Sequence, residues 1–328
     1  MASIFKNQSV ITYLITGGSG FIGSHLAEKL LTEGNRVICI DDLSTGRKDN
    51  IAHIITNPAF TFVRSDITDS IILDRLASKS DIIIHLAAAV GVQLIVNNPV
   101  KTIETNVKGT EVVLKSALRY DCKVLLASTS EVYGKSKKFP FSEDDDTIIG
   151  PTNKSRWCYA ISKMLDESLA LAYHQEYNLR TIPFRLFNTI GPRQTGQYGM
   201  VVPRFISQAI NNEPITVYGD GTQKRCFCDV RDVIDAIVGL AHNDDSIGRL
   251  FNIGNTEEIS INQLAEKVKL LTGSTSEIIH IPYDVAYAPG FEDMKRRIPN
   301  ISLISSLIGW NPRITLQDTL IDIIKSHR

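Results

Sequence analysis

The sequence predicts an α/β fold: a doubly wound parallel sheet with a smaller C-terminal lobe. Two observations predict it. Apolar, β-branched runs alternate with segments of helical length through the first half of the chain. A glycine-rich turn, Thr16-Gly17-Gly18-Ser19-Gly20-Phe21-Ile22-Gly23, joins the first such run to the first helix. Strands that read as continuous hydrophobic runs are covered on both faces, as in parallel sheets. Right-handed crossovers through the intervening helices then give the doubly wound, Rossmann arrangement.

The elements follow in order. Strands are expected at Tyr13–Thr16, Val37–Ile40, Thr61–Val63, Ile82–His85 and Val124–Ala127. Helical patterns lie between them, among them Phe21–Glu33 and Pro99–Tyr120. One more unit follows, a helix near Tyr159–Tyr177 and a strand at Thr181–Leu186. Beyond it the pattern loosens. Short strands (Ile215–Tyr218, Leu250–Ile253, Glu277–Ile281) mix with helices (Val201–Asn211, Asp232–His242, Ile261–Leu271, Leu316–Ser326). The division expected is residues 1–190 for the dinucleotide-binding domain and 191–328 for the lobe, interleaved with it.

A chain of 328 residues can bury a core that needs no staples. Thirty-five basic residues against thirty-six acidic ones leave no basic excess for a nucleic-acid partner. No apolar run reaches the ~20 residues of a membrane span, and the segment Met1–Gln8 lacks a secretory core. Five scattered cysteines make no disulfide framework. Cys226 and Cys228, two apart, are expected on one face of a strand, with no matching pair for a metal. The reading is a reduced, cytoplasmic protein with no nucleic-acid partner, no membrane and no metal.

The glycine turn is the strongest local signal. Gly17, Gly20 and Gly23 permit a tight turn and close approach of backbone to a pyrophosphate. The helix opened by Phe21 and Ile22 offers free N–H groups to the phosphates. The second strand ends in Asp41-Asp42, eighteen residues past Gly23. A carboxylate there suits a ribose 2′-hydroxyl and repels a 2′-phosphate, which favours NAD over NADP; Arg47 and Lys48 stand close by, and a plain turn cap is the other reading of Asp41. Asp66, followed by Ile67, either accepts from an adenine amino group or caps the helix that begins near Asp69.

Tyr159-Ala160-Ile161-Ser162-Lys163 puts a phenol and an ammonium on one helix face. A phenol with a pKa near ~10 is no base at neutral pH. A nearby ammonium stabilises the phenolate and lowers that pKa. Upstream, Ser128-Thr129-Ser130-Glu131-Val132-Tyr133-Gly134 closes a strand on the edge where such sheets hold ligands.

Together with His85-Leu86-Ala87-Ala88 and Arg185-Leu186-Phe187-Asn188, these motifs resemble the extended short-chain dehydrogenase/reductases, the nucleotide-sugar epimerases and dehydratases. The resemblance runs from about Tyr13 to the C-terminus. It implies hydride transfer between a sugar carbon and a tightly held NAD. Leu86, Ala87 and Ala88 would line the cofactor. Thr129 and Ser130 would meet the sugar 4-hydroxyl region, Tyr159 would be the base, and Lys163 would hold the nicotinamide ribose. Asn188, Arg204 and Arg225 would contact the sugar diphosphate, which makes the lobe the nucleotide-sugar-binding part. The family also implies a homodimer, two helices from each copy pairing into a four-helix interface.

Within the family the chain most resembles the UDP-glucuronic acid decarboxylases, on Thr129–Gly134, Asn153–Tyr159, Arg185–Thr189, Gln223–Phe227 and Gly290–Arg297. That resemblance implies that Glu131 and Arg297 act on a uronic acid. A ketone at C4 stands β to the carboxylate, so CO₂ loss needs only enolate stabilisation and a proton at C5. An arginine fork binds the carboxylate, and Thr129 and Tyr159 donate to the C4 oxygen. Whether Glu131 or Arg297 delivers the proton stays open. A surface ion pair of Arg297 with Glu292 or Asp293, and a solvent-facing Glu131, are the plainer readings. Ala89-Val90-Gly91-Val92 departs from many eukaryotic decarboxylases. It leaves open an N-acetylated uronic acid, a 4-epimerase and a 4,6-dehydratase. A non-enzymatic NAD-binding sensor would dispense with the tyrosine.

Overall fold

The structure is a computed structural model; it describes residues 10–89, 98–196, 200–286 and 294–327. The strands are β1 (Thr12–Thr16), β2 (Arg36–Asp41), β3 (Phe60–Arg64), β4 (Ile82–His85), β5 (Lys123–Thr129), β6 (Thr181–Leu186), β7 (Thr189–Ile190), β8 (Ile215–Tyr218), β9 (Lys224–Cys226), β10 (Cys228–Asp229), β11 (Phe251–Ile253), β12 (Glu258–Ser260) and β13 (Ile278–Ile281). The main helices are α1 (Phe21–Thr32), α2 (Ser70–Ala77), α3 (Pro99–Tyr120), α4 (Arg156–Tyr177), α5 (Val201–Ile210), α6 (Val230–Ala241), α7 (Ile261–Thr272), α8 (Ser302–Ile308) and α9 (Leu316–Ser326).

Seven strands form one parallel sheet in the order β11-β6-β5-β4-β1-β2-β3. The order reverses at β1, which pairs with β2 on one side and β4 on the other. Thr16 therefore stands opposite both Ile40 and His85, at the carboxyl ends where such sheets open a crevice. Residues past 190 return to the sheet: β11 is its edge strand.

Two apolar layers cover the sheet. One joins Leu26, Leu30, Val233, Ile237 and Ile304, from α1, α6 and α8, to Tyr13, Ile15 and Phe184. The other joins Leu73, Val113, Leu114 and Ala170, from α2, α3 and α4, to Leu14, Ile83 and Leu126. A third cluster, with Phe205, Ile206, Val217, Leu264, Val268 and Ile323, is the core of the lobe. Each buried aliphatic side chain contributes about 1.5–3 kcal/mol.

Local chemistry fixes the helix ends. Asp69 caps α2 through the N–H groups of Ile71 and Ile72, so the cap is Asp69 and not Asp66. Pro99 opens α3, and Asp121 closes it in the left-handed region. Ser260 and Gln263 form a reciprocal capping box on α7. The expected shared face of Cys226 and Cys228 is corrected. Cys226 ends β9, antiparallel to β12, and Cys228 opens β10, parallel to β7. The chain changes partners at Phe227, and both thiols are buried.

Among the described residues, no helix is long and apolar enough to cross a membrane.

Candidate active site

The glycine turn builds a cradle from backbone. Gly17 has φ +70°, and a Cβ there would come within 3.0 Å of the Ala87 nitrogen. A Cβ on Gly23 would lie 2.3 Å from the Gly17 oxygen. Both close approaches require glycine. Gly20 caps α1 without a side-chain bond, and the first turn carries no acidic residue. The N–H groups that Phe21 and Ile22 begin are thus left to an anion. The Phe21 ring itself turns to the edge of His25.

Asp41, buried at the end of β2, accepts from Ser19 N–H at 3.0 Å and from Leu43 N–H at 2.8 Å. It closes the next turn and also ties that turn to the glycine loop. The Ser19 hydroxyl is buried without a hydrogen-bond partner, an orphaned donor inside the cradle. Backbone N–H groups, a carboxylate and an orphaned hydroxyl together fit a dinucleotide. Exposed Asp66 accepts from the N–H and hydroxyl of Thr68. Ile67 is buried against Gly109 of α3. After β4, Leu86 N–H donates to the Thr16 carbonyl, Ala87 N–H to the Thr16 hydroxyl, and Ala88 is half-buried.

The second half of the site lies between β5 and α4. Thr129 ends β5 and caps a single 3-10 turn, Ser130–Tyr133, its hydroxyl accepting from Glu131 N–H at 3.2 Å. Ser130 is buried, and the turn fixes Glu131. Tyr159 and Lys163 stand one turn apart on α4, and the Thr129 hydroxyl lies near enough to the Tyr159 phenol to favour its charged form. Arg297 reaches Glu131 at 3.5 Å, although 166 residues separate them. Arg296 turns away to Glu258 of β12 at 2.6 Å. Glu292 and Asp293, the other expected partners of Arg297, lie outside the described residues, as do Val90 to Asn97.

The electrostatics bring one further residue into the site. Burial pushes the Tyr159 phenol up, the charges of Glu131 and Asp166 push it further, and Thr129 and Arg297 draw it partly back. Lys163 is not among the groups acting most strongly on it. Its ammonium is matched at 2.7 Å by Asp166, a residue outside the expected set. The i, i+3 spacing on one helix is the signal in the sequence that could have found it.

Other residues missed at the sequence level hold the strip in place. Arg185 of β6 makes a two-pronged pair with Glu167 of α4, at 3.0 and 2.8 Å, and the Ser128 hydroxyl donates to the same carboxylate. Asn106 accepts from Ala89 N–H and donates to Ser162, which links β4, α3 and α4. Of the expected substrate contacts, the Asn188 amide donates to the Cys226 carbonyl at 2.9 Å. That bond puts Asn188 beside buried Arg225, whose Nη1 donates to the Lys224 carbonyl. Arg204 donates to Thr216 of β8 and lies over the Tyr218 ring at 3.7 Å.

Comparison with known proteins agrees with this geometry. The chain is 39% identical over 316 residues to a UDP-N-acetyl-alpha-D-glucosaminuronate decarboxylase of Bacillus cytotoxicus, covering 96% of this chain and 97% of that one. It is 39% identical to a UDP-glucuronic acid decarboxylase of Arabidopsis thaliana, covering 96% of this chain and 69% of that one. The crystal structure of a UDP-glucose 4-epimerase from Thermotoga maritima, with UDP-glucose, superposes with a TM-score of 0.87 at 29% identity, covering 97% and 98% of the two chains. Residues 13–254 match the model of the NAD dependent epimerase/dehydratase family, and the chain belongs to that family.

Proposed function

We propose that the protein is an NAD-dependent decarboxylase of a UDP-hexuronic acid, UDP-glucuronate or its N-acetylated relative, yielding a UDP-pentose through a 4-keto sugar. The observation that carries this reading is the approach of Arg297 to Glu131 at 3.5 Å beside the phenol of Tyr159. A 4-epimerase of a neutral sugar needs no carboxylate-binding arginine there, and a decarboxylase does. The two decarboxylases just compared match nearly the whole of this chain.

NAD, when bound, would supply the hydride acceptor for oxidation at the sugar C4 and the donor for its reduction afterwards. Its phosphates would lie on Gly17, Gly20, Gly23 and the start of α1, its ribose hydroxyls on Asp41, and Lys163 would hold the nicotinamide ribose. Tyr159 takes the 4-hydroxyl proton as the ketone forms, and Thr129 keeps the oxygen aligned. Arg297 holds the uronate carboxylate as a fork until CO₂ leaves. Thr129 and Tyr159 then donate to the enolate oxygen, where charge develops. Glu131 orders the proton delivery to C5. Asn188, at the border with the lobe, and Arg204 and Arg225 beyond it would hold the nucleotide diphosphate.

The test is incubation of the purified protein with UDP-glucuronate and with UDP-N-acetylglucosaminuronate. CO₂ release and a UDP-pentose by mass spectrometry are expected. A product that keeps its carboxylate and inverts C4 would replace the reading with 4-epimerisation. Glu131→Gln sharpens the choice, since a decarboxylase loses most of its turnover and an epimerase scarcely changes.

The protein is also proposed to be a homodimer. Val100, Ile103, Ile161 and Leu165 of α3 and α4 leave apolar side chains exposed, which fits pairing with the same helices of a second copy. Light scattering should give twice the chain mass, and Leu165→Lys should give monomer.

A further inference from the structure

Lys163 and Asp166 lie three residues apart on one face of α4, 2% and 1% exposed, and meet at 2.7 Å. A charge at that depth is costly unless it is matched. Burial raises the Asp166 pKa, and Lys163 and Thr110 draw it only partly back. Asp166 Oδ1 meets no donor with hydrogen-bond geometry, although the Thr110 hydroxyl lies near enough to favour the charged form.

A chain of hydrogen bonds runs from the cradle as far as Thr110, next to this carboxylate. The Thr16 hydroxyl accepts from Ala87 N–H at 3.1 Å and lies 2.7 Å from Nδ1 of His85. Nε2 of the same ring lies 3.1 Å from the Thr110 hydroxyl. His85 is neutral, pushed down to about 3 by burial and by the Lys163 charge. Thr16 and Thr110 each offer a hydroxyl to one nitrogen of the neutral His85 ring, so the ring is held from both sides.

We propose that Asp166 is a positioning residue: it holds the Lys163 ammonium beside Tyr159 and, by standing against that charge, sets the pH range in which the phenol acts as a base. This rests on the reading of Tyr159 as the base. At distances beyond 2.7 Å the pair acts as a dipole rather than a free cation, so the phenol receives little of the lysine's charge. The other charged groups around the phenol stand in pairs, with Glu131 outweighing Arg297 there. Glu131 faces Arg297, Glu167 faces Arg185, and His85 is uncharged. Removing Asp166 therefore changes the net charge at the phenol by one unit, in the direction that stabilises phenolate.

The experiment compares Asp166→Asn and Asp166→Ala with the wild type. Two midpoints are read: the acidic limb of kcat against pH, and the phenolate absorbance of Tyr159, taken as the difference from Tyr159→Phe in the same Asp166 background. Both midpoints should move to lower pH by about one unit. Asp166→Glu, which keeps the charge, should restore the wild-type midpoints. A loss of kcat with unmoved midpoints, or a shift to higher pH, would overturn the proposal. The alanine variant covers a failure of the asparagine variant to fold. If Tyr159→Phe turns over at the wild-type rate, the base assignment fails instead; the absorbance midpoints still report on Asp166.

Discussion

The cradle at the ends of β1 and β2 and the strip between β5 and α4 meet their ligands by different means. The cradle works with backbone: Gly17 and Gly23 are confined by atoms at 3.0 and 2.3 Å, and α1 begins without a side-chain cap or an acidic first turn. The strip works with charge held out of water: Lys163 with Asp166, Arg185 with Glu167, Arg297 with Glu131. The cradle is thus intolerant of added volume and the strip of unbalanced charge. Removing one partner of a buried pair costs about 3–5 kcal/mol, since the other charge is left unmatched. A methyl group forced into a full space costs about 1–3 kcal/mol.

The largest expected effect tests the strip. Tyr159→Phe removes one hydroxyl and no charge at neutral pH, so folding should be nearly unchanged. Turnover should fall about 10³-fold, or ~4 kcal/mol in the barrier. Bound NAD, measured after denaturation, should stay at the wild-type level. Loss of NAD together with turnover would mean that Tyr159 serves the cradle rather than the strip.

Next comes the cradle. Gly23→Ala drives a methyl group against the Gly17 carbonyl. The expected loss is about 1–3 kcal/mol of stability, with NAD content falling in parallel. Wild-type NAD content in a stable Gly23→Ala protein would show that the loop yields, and would remove the contrast between the two regions.

His85 lies where the two regions join, and it makes the contrast depend on pH. Its folded-state pKa is held down at about 3, first by burial and then by Lys163. Below pH 6.5 the unfolded chain takes up a proton that the folded site refuses, so stability falls as pH drops from 6.5 towards 3. The loss is about 2 kcal/mol between pH 6.5 and 5. Urea unfolding at pH 7 and pH 5 should show it in the wild type and show less of it in His85→Gln. Equal losses in both proteins would place the acid sensitivity elsewhere.

Much of this was legible in the sequence, and the boundary has a physical cause. Strands buried on both faces are continuous apolar runs, and Ile82–His85 and Thr181–Leu186 begin and end where they were expected. The glycine turn was legible because close backbone approach admits one residue type. The strands β7, β9 and β10 are two or three residues long, too short for any period, which is why Cys226 and Cys228 were read onto one face. Within the site, Tyr159 and Lys163 follow from helical spacing. The contact of His85 with Thr110 spans 25 residues and has no local signature. The meeting of Glu131 with Arg297 was expected from resemblance rather than from pattern, because 166 residues of chain separate them.

The smallest expected effect sets two adjacent arginines against each other. Arg296 pairs with Glu258 at 2.6 Å, with its side chain 43% exposed. Arg297, one residue on, is 10% exposed and faces Glu131. A surface pair of the first kind is screened by water and salt and contributes about 0–1 kcal/mol. Arg296→Ala should therefore lower stability by no more than that, with the loss shrinking in high salt, and leave turnover within about twofold. Arg297→Ala leaves Glu131 without its partner and removes the fork from the site. It should lower kcat/KM for the uronic acid substrate while Arg296→Ala does not. Equal kcat/KM losses in the two variants would mean that the segment acts as a whole, and that the burial of Arg297 is not what distinguishes it.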